Sequence, residues 1–452
     1  GEAQPQACDQ AHHHADHQAP VHVGTGNGAD EQALVERGSA SPEMAADLEK
    51  IRAWMGLDAK KGAGPAQKIG VREHEMFARG WEAYLMEGRA PSNDLQGTFN
   101  RFRAWMVFVY KRMTALDVQL TDEEADLLRG IPVVNVNNNC STGSSALVLA
   151  RQAVMSGAAD CVLALGFEEM KPGALGAVFA DRASPFQRFD EATQELVGHG
   201  EIPLALRYFG GAGLAHMEEF GTPMNTFAKI RAKASRHAAN NPLALFRKEV
   251  SVDDVMNAPM LWEGVMTRLM ACPPTCGAAA AVICSEAFAK KHGLDTRVSI
   301  TAQAMTTDFP STFESHDMMR VVGFDMARDA AQKVYKQAGI GPQDVNVVEL
   351  HDCFAQNELI TYEALGLCPE GGAEKFVLDG DNTYGGKVVT NPSGGLLSKG
   401  HPLGATGLAQ CFELTHQLRG TADKRQVKGA RVALQHNLGL GGACVVTLYQ
   451  AG

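Results

Sequence analysis

Two sulfurs and two imidazoles stand out in this chain, each set in a short polar or glycine-rich run. Cys140 lies in Asn137-Asn-Asn-Cys-Ser-Thr-Gly143. Ahead of it, Ile131-Pro-Val-Val-Asn-Val136 reads as a strand; behind it, the small-residue run Ser144–Ser156 reads as a helix ending at Gly157. Backbone N–H groups and the positive helix end lower a thiol pKa at such a junction. A thiolate attacks a thioester and leaves again easily, which makes it a natural nucleophile for acyl groups. A free Cys is otherwise a small buried apolar residue, but the polar neighbours of Cys140 argue against that.

His351-Asp-Cys-Phe354 follows an expected strand, Val345–Leu350, and opens a helix. The C-terminal ends of strands are where α/β proteins build sites. His351 is a candidate oxyanion donor and Cys353 a candidate second thiol that moves protons. Gly400-His-Pro-Leu-Gly-Ala-Thr-Gly407 opens another helix. Pro402 fixes the backbone beside His401, and a neutral imidazole there can hold or deprotonate Cys140. Asn437-Leu-Gly-Leu-Gly-Gly442 follows a strand ending at His436. It is either a hairpin turn or a glycine loop whose N–H groups face a developing oxyanion. Cys161, Cys284, Cys411 and Cys444 sit in apolar runs and read as core. Cys272 and Cys276 lack a second ligand pair, so no metal is expected.

These runs need a scaffold that brings them together. From Val298 the strands Ser299–Met305, Val345–Leu350, Lys387–Thr390, Arg431–His436 and Cys444–Tyr449 alternate with helices Gly323–Ala338, Phe354–Leu365 and Gly404–Leu418. That order is βαβαβαββ, an α/β layer with a mainly parallel sheet. The helix opened by Thr142-Gly143 is followed by a strand, Asp160–Gly166; the helix opened by Thr406-Gly407 is also followed by a strand. The echo implies two related halves, residues 131–295 and 296–452. Within the first, residues 170–260 read as a loop-rich insertion carrying an amphipathic helix around Met224–His237, ahead of a buried strand, Ala278–Cys284. Residues 1–30 read as a disordered His-rich tail. Residues 31–130 read as a helical extension or a divergent start of the first half. Its candidate helices are Ser41–Met55, Ala66–Met86 and Leu95–Leu116, with a capping box at Thr121-Asp-Glu-Glu124.

Composition limits the partners. Lys plus Arg total 41 against 52 Asp plus Glu, a net charge of −11. Nucleic acid is therefore not an expected ligand, since phosphate binding needs a basic face. No apolar run is long enough for a membrane span. The ten scattered Cys read as a reducing compartment.

The four runs, in this order, resemble those of the thiolase family, most closely its sterol-carrier-protein-type branch, over about residues 130–450. The resemblance implies an α/β fold of two βαβαβαββ halves with an inserted loop domain, active sites on a homodimer, and no permanently bound cofactor. It implies reversible cleavage of a 3-ketoacyl-CoA by coenzyme A, giving acetyl-CoA or propanoyl-CoA and a shortened acyl-CoA. Carried over, Cys140 takes the acyl group, His401 activates it and Cys353 moves a proton. His351 and His401 line one oxyanion hole; the amides of Cys140 and Gly439 form the other. Ordinary thiolases keep the second Cys in a Cys-x-Gly-Gly-Gly motif; here Asn437 holds that place as a supporting residue, and Cys353 substitutes. Fatty-acid chemistry suggests mitochondrion or peroxisome. The alternative is a thiolase-derived structural subunit of a larger, mitochondrial assembly, docked through residues 31–130. A ketosynthase is disfavoured, because that class has no Cys at the Cys353 position.

Overall fold

An apolar run becomes a strand only where its backbone groups find partners. The computed structural model describes residues 21–24 (backbone only), 50, 131–170, 181–198 and 202–452. The strands are β1 Val21–Gly24, β2 Cys161–Glu168, β3 Met260–Trp262, β4 Met266–Thr267, β5 Gly277–Cys284, β6 Val298–Thr306, β7 Val347–Glu349, β8 Val389–Thr390, β9 Val432–Gly439 and β10 Ala443–Ala451. β3 and β4 form a small ribbon, and the rest form one sheet in the order β2-β5-β1-β6-β10-β9-β7-β8. The helices that bear on the site are α1 Thr142–Met155, α2 Gln187–Val197, α3 Leu204–Phe220, α4 Met224–Ala238, α5 Phe324–Ala338, α6 Ala355–Ala364, α7 Gly395–Lys399 and α8 Thr406–Arg419.

Outward from the β1–β6 junction the sheet repeats itself. One side runs β1, β5, β2; the other runs β6, β10, β9, then β7 and β8. α1 leads into β2 as α8 leads into β9. The expected two related α/β halves are therefore present, and the second has the full βαβαβαββ order. The two leading helices share a core. Leu147, Ala150 and Val154 of α1 and Leu408, Cys411 and Leu414 of α8 are buried with Ile283, Ile300, Val347 and Tyr449 from strands of both halves. Each large side chain buried this way stabilises by about 1.5–3 kcal/mol.

Several expectations need correction. The sheet is mostly antiparallel: only β7–β8 and β7–β9 run parallel. The cause is that β9 turns straight back into β10, and the halves meet first strand against first strand. Ile131–Val136 is not a strand, and Ile131 and Val134 are 58% and 74% exposed. Its counterpart β8 has β7 to pair with; among the described residues no strand lies beyond β2 to play that part. Residues 170–260 hold α2, α3 and α4 rather than mostly loop. The run Tyr208-Phe-Gly-Gly-Ala-Gly213 lies inside α3, where a Cβ on Gly213 would come within 2.3 Å of Gln356. The glycine lets α3 lie directly on α6. Four residues of the expected tail form β1, and Cys161 is exposed rather than core. The rest of residues 1–130, with the candidate helices and the capping box, falls outside the described residues apart from residue 50.

Candidate active site

The Cys140 turn is built by its own polar side chains. Asn139 takes a left-handed φ of 52°, which Asn tolerates better than most residues. The Ser141 and Thr142 amides donate back to Asn138 O and Asn139 O, both at 3.1 Å. The Ser141 and Thr142 hydroxyls donate to the same two carbonyls at 2.8 and 2.6 Å. Cys140 is thus fixed one residue ahead of the N-cap of α1 and partly buried. The end of β9 presses against this turn: a Cβ on Gly439 would lie 2.1 Å from Asn138 O. Only glycine fits there, while Gly441, at φ 76°, turns the hairpin from β9 into β10, so the run is a hairpin turn whose first glycine also meets the Cys140 turn.

His351 and Cys353 follow β7 in a turn clamped from several sides. The Leu350 amide donates to Asn391 Oδ1 at 2.8 Å. Asp352, fully buried, accepts from the Leu396 and Leu397 amides at 2.7 and 3.3 Å. Burial, with Glu358 nearby, pushes the Asp352 carboxyl up to about 8. His401 follows α7, with its Nδ1 2.7 Å from the Thr406 hydroxyl.

The sequence runs converge. Cys140, His351 and His401 place ligand-type atoms within 4.8 Å of one another. The two imidazoles meet edge to face, centroids 5.0 Å apart. Asn437 ties the cluster together, its Nδ2 donating to Cys140 O and to His351 Nδ1, both at 3.1 Å. Its Oδ1 accepts from Ser144 at 2.7 Å, and Ser144 Oγ accepts from Gln435 Nε2 at 2.8 Å. Cys353 is 4% exposed and lies close enough to Cys140 and Cys272 for their charges to act on it.

Hydrogen bonds give the two imidazoles opposite tautomers. The Thr406 hydroxyl donates to Pro402 O at 3.0 Å, so its oxygen accepts from His401 Nδ1–H. His401 Nε2 is left as a buried lone pair with no hydrogen-bond partner among the described residues. His351 Nδ1 accepts from Asn437, so its proton sits on Nε2. One imidazole is a base and the other a donor. A Cys and two His could also ligand a metal, but a protonated Nε2 suits His351 to donating rather than ligating.

Burial sets the protonation states. It drives His401 down to about 3 and His351 well below its usual range, so both are neutral at pH 7. Burial, with Glu168 nearby, pushes the Cys140 thiol up to about 12. The expected low thiol pKa is therefore overturned: desolvation outweighs the helix end, and Cys140 rests as a thiol. Cys353 is raised well above its usual value, chiefly by burial.

One wall of the site was missed. Ala271 bridges Phe354 and Pro274 bridges His401, so residues 271–274 join the two histidine turns. The doubled Pro273-Pro274 beside Cys272 was the available signal. Ser144, Thr406 and Gln435 were missed too, since nothing in their spacing marks a hydrogen-bond relay.

Family models for the thiolase N-terminal domain and the thiolase C-terminal domain match residues 113–250 and 310–448. The first match starts ahead of the boundary expected at residue 131. Sterol carrier protein 2 of Rattus norvegicus is 57% identical over 326 residues, 72% of this chain and 59% of that protein. The chain thus spans about three fifths of that relative's length. Non-specific lipid-transfer protein-like 2 of Caenorhabditis elegans is 47% identical over 331 residues, 72% of this chain and 80% of the relative. Among solved structures, an Ltp2-ChsH2(DUF35) aldolase superposes with a TM-score of 0.61 at 21% identity, over 75% of this chain and 85% of that one, a likeness of fold. With both family models matched in order and the worm relative covered over most of its length, the chain belongs to the thiolase family.

Proposed function

We propose that this chain is an acyltransferase of the 3-ketoacyl-CoA thiolase type, acting on CoA thioesters without a resident cofactor, in peroxisome or mitochondrion. The observation that carries the reading is the convergence of Cys140, His351 and His401 within 4.8 Å. A thiol held near pKa 12 attacks only if its proton leaves as the bond forms, and the bare Nε2 of His401 is placed to take it. The Cys140 sulfur bonds to the 3-keto carbon; the adjacent C–C bond breaks, and its electrons become the enolate of acetyl-CoA or propanoyl-CoA. Nε2–H of His351, joined by protonated His401, faces that oxygen. Loss of one such donor typically costs about 3–4 kcal/mol. Cys353 protonates the enolate carbon, then takes the proton of incoming CoA, whose sulfur displaces the shortened acyl group from Cys140. The amides of Cys140 and Gly439 serve the tetrahedral oxyanion. The test is mass spectrometry after acetyl-CoA. An S-acetyl group on Cys140 is expected; a folded sample with Cys140 unmodified refutes the reading.

A scaffold role is the second reading, supported by apolar surface on the first half. Leu149 and Met155 of α1 and Leu163 of β2 are 39%, 37% and 44% exposed. A stable hetero-complex without turnover, rather than a homodimer with it, would favour this reading.

A further inference from the structure

Among the described residues, Cys272 is a thiol beside the site that the reaction above does not use. The antiparallel bridge between Ala271 and Phe354 puts Cys272 opposite Cys353, and the Cys272 amide donates to Cys353 O at 2.9 Å. Alternate residues of a paired segment point to opposite faces. Phe354 goes one way and stacks on Phe209 at a centroid distance of 4.9 Å; Cys272 and Cys353 therefore share the other face. Facing residues of an antiparallel pair have Cα atoms about 4.5–5.5 Å apart. A disulfide spans Cα distances of about 4.4–6.8 Å. Both sulfurs are free thiols, Cys272 partly exposed and Cys353 buried.

We infer that Cys272 and Cys353 form a reversible disulfide when the protein meets a hydroperoxide. Burial raises both thiols, so oxidation is slow. The peroxide oxygen goes to the sulfur of Cys272, the less buried residue of the two, giving a sulfenic acid, and the peroxide leaves as an alcohol or water. The Cys353 sulfur attacks the Cys272 sulfur, the S–O bond breaks, and water leaves with the Cys353 proton. The pair closes with little backbone movement, because the two segments already lie side by side at the Ala271–Phe354 bridge. Under the reading above this would remove the proton carrier and leave the nucleophile intact, but the disulfide itself is independent of that reading.

The experiment treats the full chain with hydrogen peroxide, blocks remaining thiols and maps linked peptides by mass spectrometry, with no activity readout. The expected result is a Cys272–Cys353 link that rises with peroxide and disappears with dithiothreitol. Cys272→Ser abolishes the link, and Cys276→Ser leaves it. Links from Cys140 to either residue as the main product, or recovery of Cys272 and Cys353 as thiols or sulfinic acids, overturn the inference. The wild-type map decides even if a variant folds poorly.

Discussion

The two halves of the molecule divide the chemistry unequally. The second half has five sheet strands and supplies His351, Cys353, His401, Asn437 and Gly439; the first has β1, β5 and β2 among the described residues and supplies Cys140, Ser144 and the wall at residues 271–274. The helix starts show the same contrast. The His401 turn is buried and held by Thr406 within its own half. The Cys140 turn is partly buried and is gripped from the second half, by Asn437 on its carbonyl and by the glycine at 439. A nucleophile must be reachable while a base must be dry. Under the proposed function, the second half therefore carries the rigid donors and acceptors, and the first carries the sulfur that would meet substrate. A glycine at 407 permits the meeting, since a Cβ there would lie 2.1 Å from Ser144 Oγ.

The largest expected effect breaks the contrast at its sulfurs. Cys140→Ala should lower turnover by on the order of 10^4-fold or more and abolish the S-acyl adduct. Cys353→Ala should lower turnover by about 10^2–10^4-fold, the usual span for a lost acid–base group, while Cys140 still becomes acylated. Single-turnover acylation and steady-state thiolysis, measured side by side, separate the two. Equal loss of acylation in both variants would mean that the halves do not divide the labour as described.

The four chemical runs and the alternation of the second half were legible because they are local. A polar turn before a small-residue helix, or a His and a Cys at a strand end, needs no partner to be recognised. Helix α4 was legible from its amphipathic stripe. Ile131–Val136 misled because strand propensity is satisfied only by a neighbour, and none lies at that edge among the described residues. The thiol pKa misled in the same way: position at a helix start is written in sequence, whereas desolvation depends on what the other half lays over it. The glycine run of α3 read as loop, since its need for close approach exists only once Gln356 is in place. Cys272 was weighed against Cys276, its neighbour in sequence, when its partner in space is Cys353.

A smaller effect sharpens the contrast at the contact between halves. Asn437→Leu removes both the grip on the Cys140 carbonyl and the hydrogen bond that keeps the His351 proton on Nε2. Leaving those buried partners unmatched costs about 1–3 kcal/mol, so a drop in turnover of roughly 10–100-fold is expected. Asn437→Gln should not restore it, because the longer amide cannot meet both partners at 3.1 Å. Retained activity in the Leu variant would leave Asn437 as packing only.

The smallest effect is on stability against pH, and it should differ between the two sides of the sheet. His351 is held well below its usual range, and His401 and His436 at about 3, each chiefly by burial, and all three lie on or beside β7 and β9; His237, also held at about 3 by burial, lies in α4 of the first half, away from β2 and β5. In the unfolded chain each returns to its ordinary value of 6.5. As pH falls below 6.5 the unfolded chain gains protons that the folded one refuses, so stability declines from 6.5 down to about 3 and is indifferent above. Each group contributes on the order of 1 kcal/mol per pH unit within that window. Hydrogen exchange at pH 5 against pH 7 should therefore show protection lost first in β7 and β9 and last in β2 and β5. His436→Gln keeps an acceptor for the His351 amide, which donates to His436 Nδ1 at 3.4 Å, and should flatten the decline by about one proton. An unchanged slope in that variant would mean that His436 already carries its proton in the folded protein. The β7–β9 side of the sheet would then be no more acid-sensitive at that position than the other.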